Sequence, residues 1–352
     1  MPRLQDVPPK AVQADIESLQ QSLKGVIPSK RLDENLLIAT WNIRSFASLT
    51  RKWTAGDADS PKRDLRGLLA IGEIIRRFDV IAIQEVGAET TALRVLLEDF
   101  LGDDWGVILS DVSRPVEGGR TERLVYVYDD RRVRPSGLAG EIVLPKLSEK
   151  DAQEPGGIDP VEQFDRTPYI VGFRAGIEQF ALLTVHIRYG SGPEDRIDEI
   201  RALSRYIARE LRRRSKEATE ERNLIVLGDF NIKSRVDDPL FEAFLESGLQ
   251  VPVPLRTVGT TYGTEANHYD QIAWFMGELD LLTENRSGVI NFAGAVYPEL
   301  SLRAMSYRIS DHFPLWTEFI LDRSQEQLAL TLGVDAAAPD PFAAIVQDGD
   351  GG

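Results

Sequence analysis

The chain of 352 residues has no cysteine, which excludes disulfides and thiolate metal sites. That composition suits a reducing cytosol. Histidine is nearly as scarce: His186, His268 and His312 are the three present. A histidine standing beside a carboxylate motif is therefore less readily a coincidence. No apolar run approaches membrane-spanning length, and the opening MPRLQDVPPKAVQADIE lacks the apolar core of a signal peptide. The expectation is a soluble, cytoplasmic protein. Positive charge is in deficit, and the net −15 argues against a general polyanion-binding surface. It leaves room for a local basic rim and a bound divalent cation at a site. Internal sequence repeats are absent as well.

What is present is a set of short apolar runs that end on polar residues. With 42% apolar residues the chain can bury a substantial core. Residues 11–27 carry Val12, Ile16, Leu19 and Leu23 at helical spacing, and Pro28 stops that helix. A strand over Leu36–Thr40 leads to Asn42, and Asp64 is placed to cap a helix with Leu65, Leu68, Leu69, Gly72 and Ile75 on its buried stripe. Asp79–Val86 is a second buried strand with Glu85 at its carboxyl end. A glutamate there is costly to bury unless it is paired, holds a metal or reaches solvent past the strand end. A short helix near 90–101 precedes strands at Trp105–Ser110 and Arg123–Tyr128. The Pro-, Gly- and acid-rich residues 134–165 predict a long exposed excursion.

Tyr169–Arg174 and Gln179–Val185 predict a hairpin that delivers His186, and Pro193 to about Arg214 predicts a charged amphipathic helix. Asn223–Ser234, NLIVLGDFNIKS, is a doubly buried strand that ends in Gly228, Asp229 and Asn231. If the extended path continues, alternation points Asp229 and Asn231 the same way, with Phe230 turned inward. A simple Gly-Asp turn is the plainer alternative. A helix over Pro239–Ser247, a loop over 248–268, Asp270 before an apolar segment and a strand over Phe313–Leu321 behind Asp311 and His312 complete the core. Residues 1–35 are expected to form a helical extension, 36–322 the main folded domain and 323–352 an acidic, mobile tail.

Five strands thus begin or end on Asn42, Glu85, His186, Asp229 with Asn231, and Asp311 with His312. Oxygen donors without cysteine favour Mg²⁺, Mn²⁺ or Ca²⁺ over zinc. Histidines add groups able to exchange a proton near neutral pH. Together they suit hydrolysis of a phosphate ester.

The segments TWNI, IQEV, TERLVYVY, RTPYIVGF, LLTVH, LGDFN, YDQI and SDHFP follow one another as in the endonuclease/exonuclease/phosphatase superfamily. The chain resembles that superfamily from about Leu36 to Leu321, most closely its deoxyribonuclease I-like branch. The resemblance implies a four-layer α/β sandwich: two mixed β-sheets packed face to face, helices on the outer faces and the active site at one end. It implies a divalent-metal-dependent phosphodiesterase, with Glu85 and Asp311 holding Mg²⁺ or Mn²⁺ and Asn42 close by. His186 and His312 would be the acid–base pair, oriented by Glu122 and Asp270. Asp229 and Asn231 would bind phosphate or a second metal, or position the nucleophile; whether His312 or Asp229 activates the water stays open. Arg44 and Arg166 match positions that approach a nucleic-acid backbone, and Arg188, Lys233 and Arg235 would extend a basic rim. The secreted members' signal peptide and disulfides are missing, so their calcium-stabilised loops do not transfer, although Ca²⁺ remains among the cations such donors suit. DNA is the expected substrate, with RNA possible. A phospholipid, phosphoinositide or other small phosphoester, or a non-catalytic binding module, are the alternatives.

Overall fold

Alternation along the first strand decides the architecture. In Asn35–Phe46 (β1), Leu36 and Ile38 face one apolar cluster while Leu37, Ala39, Trp41 and Ile43 face another. A strand buried on both faces needs a layer on each side, and the fold supplies a sheet on one and helices on the other. In a computed structural model of the chain, the described residues are 1–113, 121–144, 164–176, 178–207, 223–246, 248–262, 266–275, 283–321 and 331–332.

The remaining strands are Val80–Gly87 (β2), Trp105–Leu109 (β3), Glu122–Asp129 (β4), Arg134–Glu141 (β5), Tyr169–Ala175 (β6), Glu178–His186 (β7), Leu224–Asp229 (β8), Leu249–Gln250 (β9), Asp270–Phe275 (β10), Thr283–Val289 (β11) and Leu315–Ile320 (β12). They form two six-stranded sheets, in the orders β11-β12-β1-β2-β4-β3 and β5-β6-β7-β8-β10-β9. Both are mixed: β1 runs parallel to β2 and β7 parallel to β8, with antiparallel neighbours.

Between the sheets lie Leu36, Ile38, Val80, Ala82 and Tyr126 from the first and Val171, Phe173, Leu182 and Leu227 from the second. Gln84 adds a polar tie across this interior, donating to Thr40 Oγ1 at 3.0 Å and to Thr184 Oγ1 at 2.9 Å. The helices Lys10–Val26 (α1), Leu65–Ile75 (α2) and Thr91–Leu96 (α3) pack on the outside of the first sheet. Pro193–Tyr206 (α4) and Pro239–Leu245 (α5) carry the apolar layer of the second. The result is the expected four-layer sandwich. Asp64 caps α2 as expected, accepting from Gly67 N at 3.0 Å. The buried Asp15 of α1 pairs with Arg66 of α2 at 2.5 Å, which fastens the first helix to the sandwich.

Some expectations need correction. Part of the excursion foreseen at 134–165 is a strand, β5, on the edge of the second sheet; residues 145–163 lie outside the described residues. β11 is a polar edge strand that alternation did not reveal. The stretch of the α4 prediction beyond 207, and the expected tail apart from residues 331 and 332, also lie outside them. Among the described residues no helix is long and apolar enough to cross a membrane.

Candidate active site

Strand register brings the second sheet's functional side chains into one row. His186 pairs with Asp229 across β7 and β8, and Asp229 with Asp270 across β8 and β10. Gly228 makes that row possible. Its φ is +138°, and a Cβ there would sit 2.2 Å from Val185 O, inside the neighbouring strand. The first sheet supplies the rest from the ends of β1, β2 and β4 and from the turn before β12.

Two histidine–carboxylate pairs result, each taking one member from each side of the sandwich. His186 Nδ1 lies 2.6 Å from Glu122 Oε1, and His312 Nδ1 lies 2.8 Å from Asp270 Oδ2. The other ring nitrogens converge on one oxygen: Asp229 Oδ2 is 3.6 Å from His186 Nε2 and 3.9 Å from His312 Nε2. Asp229 is itself fixed, accepting from Asn42 Nδ2 at 2.9 Å and from Asn231 N at 2.8 Å.

Burial opposes charge on every group here, and specific partners overcome it. For His312 burial pulls the pKa down, but Asp270, Asp229 and the hydrogen bond to Asp270 push it up to about 10. His186 is likewise raised: burial and Arg166 oppose this, and Glu122 and Asp229 outweigh them. Asp229 is lowered; burial works the other way, but the two histidines, Asn42 and the Asn231 amide prevail. Asp270, fully buried, is raised chiefly by burial. The row therefore holds an ionised Asp229 between two histidines biased towards their protonated form.

Glu85 shares the Asn42 amide nitrogen with Asp229. Its Oε1 accepts from Asn42 Nδ2 at 3.1 Å and its Oε2 from Ser45 N at 2.9 Å. Both Glu85 and Ser45 adopt positive φ, +60° and +46°, where register shifts interrupt the β1–β2 and β2–β4 ladders. Those irregularities turn Glu85 towards Asn42. Burial raises the Glu85 pKa, yet His186, the Ser45 amide, His312 and Asn42 together hold it below the usual range. Asn42 Oδ1 is buried with no hydrogen-bond partner. An acceptor left so costs about 1–3 kcal/mol, a cost a bound cation would remove. An amide oxygen beside an ionised carboxylate fits a hard divalent cation.

Of the metal set expected from sequence, Asn42 and Glu85 are in hydrogen-bond contact. Asp311 is one-third exposed and pairs with Arg44 Nη1 at 3.1 Å. A different group, Asp229, Asp270 and His312, brings one donor atom each to within 4.8 Å of one another. At Asn231 the chain takes the turn, the plainer of the two alternatives. β8 ends at Asp229, Asn231 has φ +53°, and its Nδ2 donates to Ile187 O at 2.7 Å. The extended path stops, and that amide nitrogen is spent on the neighbouring strand's exit.

The expected basic rim is largely committed elsewhere. Arg166 Nε lies 2.6 Å from Glu122 Oε1, and Arg44 is held by Asp311 and Ser306. Arg235 is buried, donating to Val258 O and Asp270 O, both at 2.9 Å. Arg188 Nε donates to Asp195 O at 2.9 Å, while Lys233 is exposed. His268 stands apart from the row, its Nδ1 3.2 Å from Lys233 O.

Sequence reasoning missed two supports. Ser310 Oγ donates to Asn42 O at 2.6 Å and accepts from His312 N and Arg44 N, which joins the β1 end to the turn before β12. The buried Arg63 donates to Ser45 O at 2.7 Å, Arg44 O at 2.6 Å and Ile309 O at 2.9 Å. Ser310 lies inside the SDHFP segment and was in view; nothing local marks Arg63.

The model of the Endonuclease/Exonuclease/phosphatase family matches residues 39–312. A deoxyribonuclease of Thioalkalivibrio sp. (strain K90mix) is 32% identical over 313 residues, 84% of this chain and 73% of that protein. Deoxyribonuclease-1 of Bos taurus is 28% identical over 178 residues, 49% of this chain and 54% of its own length. Among solved structures, D. rerio TDP2 complexed with single strand DNA product superposes with a TM-score of 0.53 at 13% identity, covering 81% of this chain and 98% of that one. At that identity the likeness speaks for the fold.

Proposed function

The chain belongs to the endonuclease/exonuclease/phosphatase family, and from that premise we propose a divalent-metal-dependent endonuclease that hydrolyses DNA to 5′-phosphate ends. RNA is a secondary substrate in this reading. The observation that supports it most is the row Glu122–His186–Asp229–His312–Asp270. Gaps of 3.6 and 3.9 Å are too long for hydrogen bonds to Asp229, so both Nε2 atoms remain available to a phosphoryl group. The deoxyribonuclease names of the two sequence relatives favour DNA.

The roles follow from the charge states. Asp229, held ionised, accepts a proton from the attacking water, while Asn42 and the Asn231 amide orient its two oxygens. As the water oxygen bonds to phosphorus, the P–O3′ bond breaks. His312, held protonated, gives its proton to the departing O3′, and His186 donates to a non-bridging oxygen. Proton return from Asp229 to His312 resets the site. Asp270 and Glu122 fix the two rings and their charge. Glu85 and Asn42, with Asp311 as a third oxygen donor, would hold Mg²⁺ or Mn²⁺; Ca²⁺ suits the same donors. Once bound, the cation supplies neutralisation of phosphoryl charge. The Asp229–Asp270–His312 group is read as proton-transfer machinery rather than a cation seat, since its two carboxylates favour the imidazolium.

One observation favours a second reading, a small phosphoester substrate: most of the expected basic rim is engaged with acidic partners or buried. A substrate panel separates the two. Supercoiled plasmid, linear and single-stranded DNA, RNA, inositol phosphates and sphingomyelin are assayed with Mg²⁺, Mn²⁺ or EDTA. Plasmid nicking that needs the cation and falls steeply with added salt supports the nuclease. Turnover confined to the small phosphoesters overturns it.

A further inference from the structure

An exposed tyrosine next to the acid–base row has no part in the chemistry above. Tyr189 follows His186 by three residues, on the loop leaving β7, and is 51% exposed. Its surroundings are fixed. On either side of it, Ile187 N donates to Asp229 O, Arg188 N to Glu199 Oε2 and Ser191 N to Asp195 Oδ2, each at 2.8 Å. Behind the ring, the Arg196 guanidinium lies 4.6 Å from its centroid. Arg196 is buried and donates to Asn231 O at 2.9 Å, so the cation is anchored to the end of β8. Tyr269 meets the Tyr189 ring edge to face, with centroids 6.4 Å apart at 83°. Tyr269 in turn lies 5.7 Å from the His312 ring. One aromatic ring therefore separates an open, braced tyrosine from a histidine of the row.

Resting on the nuclease reading, we infer that Tyr189 is a stacking platform for a nucleobase of the strand whose phosphate lies at the His186–His312 row. A flat ring whose orientation is already fixed loses little freedom when a base stacks on it, which is how such a contact gains affinity. The cation over the ring and the tyrosine beside it, which also shares a side-chain hydrogen bond with it, hold the ring while leaving the residue half exposed. Stacking accepts any base, so the platform adds affinity for nucleic acid without sequence preference, and it supplies a contact that a depleted basic rim does not.

The test compares two single-stranded oligonucleotides of equal length, one of thymidylates and one of abasic tetrahydrofuran units with the same phosphates. Tyr189→Ala is expected to raise KM for the thymidylate strand by about five- to 150-fold, the worth of one stacked base. On the abasic strand it should match the parent, and Tyr189→Phe and Tyr189→Trp should restore the low KM. Equal losses on both strands, no loss on either, or no rescue by Tyr189→Phe overturns the inference. If the parent enzyme cleaves neither strand and does not nick supercoiled plasmid, the nuclease reading beneath it falls instead; plasmid nicking without cleavage of the thymidylate strand overturns the inference.

Discussion

The two histidine pairs look alike in outline and differ in what stands behind the carboxylate. Glu122 is shared: His186 and Arg166 both lie 2.6 Å from its Oε1. Asp270 has no arginine in ion-pair range among the described residues, and its Oδ2 serves His312 at 2.8 Å. The difference appears in the imidazoles. Arg166 offsets part of the pull of Glu122 on His186, whereas Asp270 and Asp229 act on His312 with no cation between them and carry it to about 10. A partly neutralised carboxylate orients a ring; a bare buried one also keeps it charged. His312 is thus the more firmly protonated of the two.

The largest expected effect removes the comparison altogether. His312→Ala and His186→Ala should each lower kcat by about 10² to 10⁴, with His312→Ala the more severe, while circular dichroism and thermal unfolding stay close to the parent. Equal losses would erase the distinction drawn between the two. Next comes Glu85→Gln, which keeps shape and removes a ligand charge. The Mg²⁺ needed for half-maximal activity should rise by at least about tenfold, and calorimetric Mg²⁺ binding should weaken in parallel. Retained activity in EDTA would disprove the assignment of Glu85 to the cation.

A smaller effect concerns pH. His312 must be protonated to give up its proton, so activity should persist into alkaline solution and fall as pH approaches about 10. Asp270→Asn should bring that fall towards the ordinary histidine range, and Glu122→Gln should move it less. The same raised pKa contributes stability that is present in full below the unfolded value near 6.5 and is lost as pH climbs through about 10. Asp270→Asn should flatten the parent's loss of melting temperature over that window. If Asp270 acts only through its histidine, Asp270→Asn/His312→Ala should be no slower than His312→Ala. The smallest effect is Arg166→Gln. Freed of its opposing cation, His186 should titrate higher by NMR, while His312 stays where it was.

How much of this was readable beforehand depended on burial. The strands ending in Glu85, His186 and Asp229 announced themselves because burial on both faces leaves a continuous apolar run. Two edge strands did not: β5, RPSGLAGE, and β11, TENRSGV, carry no such run, since an edge faces water and needs no apolar repeat; the edge strand β3, WGVIL, keeps one and was legible. At the site, carboxylates and histidines were legible by type and by their place at strand ends. The engagements of the cations were not. Arg166 finds Glu122, and Arg235 finds carbonyls of residues 258 and 270, across separations no local pattern encodes. At Asn231 sequence leaves an extended path and a turn both open, because a left-handed residue after a strand has no apolar signature.

Both pairs join one side of the sandwich to the other, and this has a consequence for the newly made chain. Glu85, Glu122, His186 and Asp229 leave the ribosome well before His312. No carboxylate–imidazole couple of the second kind exists until the turn before β12 is seated and β12 has annealed along β1. A half-finished polypeptide therefore lacks the His312–Asp270 half of the row, and the site is complete only when the last strand closes.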